Sequence, residues 1–267
     1  MTENRSLRRA LVLAGRRVTG DTLAENAGLT HKALLPIAGV PMAVRVLQAL
    51  AAVPGIERIG VSCDDPQLVA RLEGMMSRVR PGFRLEYHAS GSSPAASVAN
   101  YISSLDEGEV ALVTTADHPL MTSAIVEHFI ERAERCTADL VAGVVSERVY
   151  REKFPDGART FMRFSDDAFS GANLFFVRAP AAVRVAYFWV RMEGVRKRPW
   201  RLVSHFGLGT LARFLTGRLT VAGALREASA VICARIDAVF LPFAEAALDV
   251  DRASDLAIVK ALLERGP

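Results

Sequence analysis

Along the first half of the chain, short apolar runs alternate with segments whose apolar residues recur every three or four positions. Residues 10–14 form an apolar run ending at Gly15, the pattern of a strand buried on both faces. Residues 41–53 place Val44, Leu47 and Leu50 on one helical face, with Pro41 near the first turn. The same alternation predicts strands at 58–63, 84–88, 109–115 and 138–145. Between them it predicts helices at 67–78, 95–105 and 123–136, the first opened by the turn Asp64-Asp-Pro. The fold class expected is α/β, a mostly parallel central sheet with helices on both faces. The site should then lie at the carboxyl ends of the strands.

The pattern changes after residue 145. Residues 160–164 and 172–178 read as paired strands around Asp166-Asp167. A largely helical, basic and aromatic lobe follows at about 179–235, then a strand at 238–243 and a closing helix at 254–264 with Asp255 early in it. No repeat, low-complexity tract or linker divides the 267 residues, so one domain with an insertion-like lobe is expected.

Composition narrows the class. Apolar residues make up 51% and charged residues 23%, which allows a sizeable core and excludes global disorder. The net charge of +4 suits anionic substrates and is too small to argue for nucleic acid. Cys63, Cys136 and Cys233 lack metal spacing, and so do His31, His88, His118, His128 and His205. A reduced, cytoplasmic setting is expected. The run after Arg5, Arg8 and Arg9 is too short for a secretory signal, and no stretch of about 18 apolar residues predicts a spanning helix.

Four segments carry candidate chemistry. Leu11-Val-Leu-Ala-Gly-Arg-Arg17 is a strand leading into a Gly/Arg turn. It fails as a Walker A loop, because Asp21-Thr22 follows Gly20 where Lys-Ser/Thr is required. It fails as a dinucleotide fingerprint, because Arg17 stands at the middle glycine. What remains is backbone N–H groups and guanidinium that can grip a triphosphate, or an ordinary turn with solvated arginines. Lys32 follows a Gly28-containing loop and precedes an apolar run, so it can reach the same phosphates or lie on the surface. Asp117 ends an apolar strand, where a carboxylate can bind Mg²⁺ beside a phosphate or simply start a turn before Pro119. Asp249 and Asp251 flank Val250; in a strand both would face one metal, and otherwise they would cap the helix near Ser254.

Together, Leu13-Ala-Gly-Arg-Arg, His31-Lys-Ala-Leu-Leu-Pro-Ile-Ala-Gly-Val-Pro-Met42 and Thr115-Ala-Asp-His-Pro-Leu120 resemble the nucleotidyltransferase superfamily of GT-A-type fold, and within it the MobA-like NTP transferases. The resemblance covers residues 10–145 and returns at Leu248-Asp-Val-Asp-Arg-Ala-Ser-Asp-Leu256. Arg16 replaces the family's second glycine, and His31 replaces its proline. The resemblance implies that Ala14, Gly15, Arg16 and Arg17 cradle a triphosphate and that Lys32 neutralises the α-phosphate. It implies that Asp117 and Asp251, with Asp249 nearby, hold Mg²⁺. Gly91 and Ser97 resemble a base-reading loop whose Ala-Ser-Val piece is closer to the cytidylyltransferase version; a Ser/Gly/Pro loop with Ser97 as a helix cap explains them as well.

The activity implied is transfer of NMP from an NTP, CTP before GTP, to a small phosphorylated acceptor with release of pyrophosphate. Arg159, Arg163, Gly171 and Asn173 are candidates to hold that acceptor, or form an exposed polar strand face. The alternatives are a glycosyltransferase of the same fold using a nucleotide sugar, and a non-catalytic relative that docks on membranes. Residues 187–200 mix Arg191, Arg196, Lys197 and Arg198 with Tyr187, Phe188, Trp189 and Trp200. That mixture fits a lid over the acceptor, the preferred reading, or a peripheral membrane contact.

Overall fold

The computed structural model describes residues 8–16, 20–157, 159–192 and 199–264. Strand β1 (Arg8–Leu13) leads to a short helix α1 (Thr22–Asn26), a 3-10 turn at Lys32–Leu34 and a small hairpin of β2 (Pro36–Ile37) and β3 (Val40–Pro41). Then come α2 (Met42–Ala52), β4 (Ile56–Cys63), α3 (Pro66–Ser77), β5 (Leu85–Ala89), α4 (Pro94–Ser103), β6 (Val110–Thr115), α5 (Ser123–Arg135) and β7 (Leu140–Ser146). The second half contributes α6 (Glu147–Lys153), β8 (Met162–Arg163), β9 (Ala168–Arg178), α7 (Val183–Met192), α8 (Pro199–Ser204), α9 (Leu208–Leu215) and α10 (Val221–Ile232). It closes with β10 (Ile236–Phe240), a 3-10 turn at Ala244–Ala247 and α11 (Ala253–Glu264).

The main sheet runs β10-β7-β9-β6-β1-β4-β5, with β8 paired to β9. Alternation along each strand feeds two cores. Ala10 and Val12 of β1 and Leu112 of β6 pack on one face with α2, α3, α5 and α11. Leu11 of β1 and Ala111 and Val113 of β6 pack on the other with α4 and α7. A strand buried on both faces has no polar side, which is why these runs are continuous rather than alternating. This is the mostly parallel, helix-covered sheet with a helical lobe that the pattern predicts.

The second half differs in detail. β9 is a single strand of 11 residues. It runs antiparallel between β6 and β7 and begins four residues before the expected start at 172. The expected strand at 160–164 shrinks to Met162–Arg163. The turn is closed by Phe164 N–H donating to Asp167 O (2.8 Å), while the Asp166 carboxylate accepts from Val221 N–H (2.9 Å) and ties the hairpin to α10. The late strand sits at Ile236–Phe240 rather than 238–243, because Pro242 has no N–H for the ladder.

Candidate active site

β1, β4, β5 and β6 run parallel, so the chain leaves all four at the same edge of the sheet. The chain winds outward from β1 through β4 to β5, then returns to the other side of β1 as β6. Loops diverge at such a switch point and leave a crevice. Gly15, Arg16, Asp64, Gly91 and Asp117 all lie within three residues of these strand ends.

Lys32, on its 3-10 turn, occupies that crevice. Its Nζ donates to Asp117 Oδ2 (2.9 Å) and Asp251 Oδ1 (2.7 Å), and Asp21 Oδ2 lies 4.0 Å away. Thr115 Oγ1 donates to the other oxygen of Asp117 (2.6 Å). Asp251 arrives from the far end of the chain because Val250 N–H donates to the Asp117 carbonyl (2.9 Å). The Val250 side chain is fully buried beside that bond, an anchor worth about 2 kcal/mol.

Burial alone would raise the Asp117 carboxyl. The Lys32 ammonium, aided by His118 and the Thr115 hydroxyl, overcomes burial and holds it down to about 2. Burial pulls Lys32 the other way, yet Asp117 and Asp251 together raise it above its ordinary value. Lys32 and Asp117 are therefore both ionised at neutral pH.

A second cluster adjoins the first through His118. Burial lowers the pKa of that imidazole, and its Nε2 meets Asn173 Nδ2 at 3.0 Å. Asn173 takes a left-handed conformation (φ 48°) within β9, beside the register shift between Ala142 and Val144 of β7. Asn tolerates this better than other non-glycine residues. The twist lets its amide also reach Asp249 (3.4 Å). Arg159 closes the cluster, donating to Ser170 Oγ (2.8 Å), Gly171 O (3.1 Å) and the Asp249 carboxylate. Residues 248–251 form no strand, so Asp249 and Asp251 do not share a strand face. Asp249 pairs with Arg159 and Asp251 with Lys32.

The triphosphate-loop candidates lie at the end of β1. Ala14 is buried, its N–H donating to Ser62 O (2.8 Å), whereas Gly15 and Arg16 are exposed. Arg16 is held by one carboxylate: its backbone N–H reaches Asp64 Oδ1 (3.3 Å) and its Nε reaches Asp64 Oδ2 (2.6 Å). Buried His31 meets the same carboxylate through Nε2 (3.3 Å). The two departures from the family pattern thus converge on Asp64. Arg17 lies outside the described residues, as do Arg196, Lys197 and Arg198.

Ser97 is not the cap of α4; Ser93 is, accepting from Ala96 N–H (3.1 Å). Ser97 Oγ instead donates to Ser93 O (3.0 Å) and accepts from Gly91 N–H (2.9 Å), fixing the loop from inside the helix. A side chain at Gly91 would come within 2.8–2.9 Å of Ala96 and the Ser97 backbone, so only glycine fits this approach. Arg163 stands apart, paired with Glu147 at the start of α6 (2.6 Å).

Reading the sequence missed Asp64, Thr115 and the contribution of Asp21. Asp64 reads as a turn residue, and no local signal joins it to Arg16, 48 positions away. In the sequence Asp21 stands out only as the residue that breaks the Walker A pattern; it caps α1, accepting from Leu23 and Ala24 N–H, and faces Lys32.

Comparison with known proteins agrees with this architecture. A hypothetical transferase from Thermus thermophilus superposes with a TM-score of 0.75 at 28% identity, covering 93% of this chain and 99% of that one. A 4-diphosphocytidyl-2C-methyl-D-erythritol synthase from Anaerococcus prevotii shares the fold at a TM-score of 0.59 and 9% identity, covering 98% of this chain and all of the other. A curated 2-C-methyl-D-erythritol 4-phosphate cytidylyltransferase from Acidobacterium capsulatum is 27% identical over 126 residues, 46% of this chain. The chain spans about half of that relative's length, 52%. Residues 10–182 match the MobA-like NTP transferase domain, from β1 through β9, the span that holds Lys32 and Asp117. With that match across most of its length and a GT-A-type sheet beneath it, the chain belongs to the MobA-like NTP transferases.

Proposed function

We infer that this protein transfers NMP from an NTP to a small phosphorylated acceptor and releases pyrophosphate. One observation carries the reading: the Lys32 ammonium bridges carboxylates from residues 117 and 251 in the crevice beside the Gly15-Arg16 loop. A phosphate oxygen of the acceptor attacks the α-phosphorus, the α–β bridging bond breaks, and its electron pair leaves with pyrophosphate. The residues position charge rather than form covalent bonds, as in phosphoryl transfer generally. Lys32 can turn from its carboxylates toward the α-phosphate. Arg16 and the backbone of 14–16 line the path of the β- and γ-phosphates, and Ser97 steadies the Gly91 loop against the base.

Among the described residues no cluster of three or more acid, His or Cys side chains forms a metal centre. Asp117 and Asp251 alone suit Mg²⁺, which takes one or two carboxylates and fills its remaining positions with water and substrate phosphate. When bound, Mg²⁺ would neutralise the developing charge on the leaving phosphates. Asp249 and Asn173 lie beside this pair and suit the acceptor's hydroxyls, while Arg159 suits its phosphate.

CTP is the proposed donor. The curated cytidylyltransferase relative and the Ala-Ser-Val sequence after the Gly91 loop support it. The free thiols Cys63, Cys136 and Cys233 suit a reducing, cytoplasmic setting. The test is a pyrophosphate-release screen of the four common NTPs against sugar phosphates, polyol phosphates and phosphorylated cofactor precursors. Release that requires both CTP and an acceptor supports the reading. Turnover of a nucleotide sugar without pyrophosphate would replace it with glycosyl transfer.

A further inference from the structure

The lobe at 179–235 contains ten of the chain's 33 arginines and lysines and two of its 29 acids, a surplus of eight positive charges. The remaining residues hold 23 basic and 27 acidic side chains, a deficit of four. The mild net charge of the whole chain therefore hides an uneven distribution of charge along the sequence. Arg191, Arg218 and Arg226 are exposed and form no ion pair among the described residues.

The same lobe carries six of the nine exposed large hydrophobic residues among those described: Tyr187, Trp189, Trp200, Leu208, Leu215 and Val231. Helix α9 is turned outward. Its inner side is held by buried Thr210 and by Phe214 against Phe164, whereas Leu208 and Leu215, seven positions apart on one face, are 82% and 67% exposed. A water-facing helix would place polar residues there. On α7, Phe188 stacks on Phe206 inside the lobe while Tyr187 and Trp189 remain outside, and Arg201 lies 5.1 Å over the Trp200 ring.

We propose that this lobe rests on a bilayer surface rich in anionic lipid. Arg191, Arg218 and Arg226 meet the headgroup phosphates, the two tryptophans and Tyr187 sit at the interface, and Leu208 and Leu215 enter the acyl boundary. Nucleic acid would satisfy the arginines and leave the leucine face in water. No helix among the described residues is long and apolar enough to cross a membrane, so the contact is interfacial. The proposal stands independently of the transferase reading, since none of these residues belongs to the Lys32 crevice.

The test uses the full chain with phosphatidylcholine vesicles, with and without phosphatidylglycerol. Co-sedimentation is expected only with the anionic lipid, falling about tenfold from low to high salt as the headgroup attraction is screened. Tryptophan emission should shift to the blue on binding. Two surface variants should leave the folded state unchanged by circular dichroism: Leu208→Asp with Leu215→Asp, and Arg218→Glu with Arg226→Glu. Each should cut vesicle binding about tenfold and leave NTP-dependent thermal stabilisation unchanged. Absence of pelleting at low salt overturns the proposal. So does binding indifferent to the leucine changes, or tighter binding to a duplex oligonucleotide than to vesicles.

Discussion

The ammonium of Lys32 lies 2.7 Å from the carboxylate of Asp251, a contact that joins residues 219 positions apart. With Asp117 it makes a three-membered charge cluster in which one cation serves two anions. Removing any member changes the sum of charge in the crevice.

Asp117→Ala is expected to lower pyrophosphate release by at least about a hundredfold, because transition-state charge loses its principal support. The sheet should remain intact by circular dichroism. Steady-state assays at saturating Mg²⁺ check this; a near-normal rate there would remove Asp117 from the catalytic set.

Lys32→Ala is expected to cost both catalysis and stability. The sequence alone suggests an unpaired lysine, and Lys32→Ala would then affect rate far more than folding. In the structure its loss removes the ammonium that both carboxylates accept from and takes the charge partner of the largely buried Asp117, a cost of about 3 kcal/mol. Millimolar Mg²⁺ should restore much of the lost melting temperature in this variant and add less to the wild type. Equal Mg²⁺ effects on both proteins would contradict a shared cation position.

The depressed Asp117 carboxyl makes a signed prediction about acid. Its ordinary value of 3.8 falls to about 2 in the folded protein, so its contribution to stability is complete above about pH 4. It is lost as the pH falls through about 2. Wild type should exceed Asp117→Asn by about 2 kcal/mol at neutral pH, with the gap closing across that acid window. Urea unfolding at a series of pH values measures it, and a gap independent of pH would refute the assignment.

Asp64→Asn should loosen Arg16. The carboxylate holds both the backbone and the guanidinium of that residue, and its own pKa is lowered: burial opposes ionisation, and the Arg16 contacts outweigh it. If Arg16 is presented to the triphosphate by this contact, KM for the NTP should rise about fivefold with kcat little changed, the worth of one hydrogen bond near 1 kcal/mol. An unchanged KM would make Asp64 a bystander.

Hydrophobic periodicity made the central sheet legible because β1 and β6 are apolar on both faces and flanked by helices with clear stripes. It could not reveal β9 as the partner of both β6 and β7, since strand order is set by packing rather than by any one segment. Lys32 and Asp117 could be singled out because strand-end motifs carry them. Their pairing could not, because it depends on Val250 docking against a carbonyl far away in sequence. Asp249 was grouped with Asp251 by proximity in the chain, whereas residues 248–251 form no strand and each carboxylate pairs with a different cation.

The position of β9 also bears on how the chain reaches its final form. β6, α5 and β7 are consecutive, and a crossover of that kind can close by pairing its two strands directly in parallel. The native sheet instead keeps them one strand apart and fills the gap with residues 168–178, made later and running the opposite way. During synthesis, or in a chain cut after Ser146, the apolar borders of Val110–Thr115 and Leu140–Ser146 face each other with nothing between them. The most natural local pairing is then a trap that must reopen, and the unfilled borders are where a nascent chain would capture a neighbour.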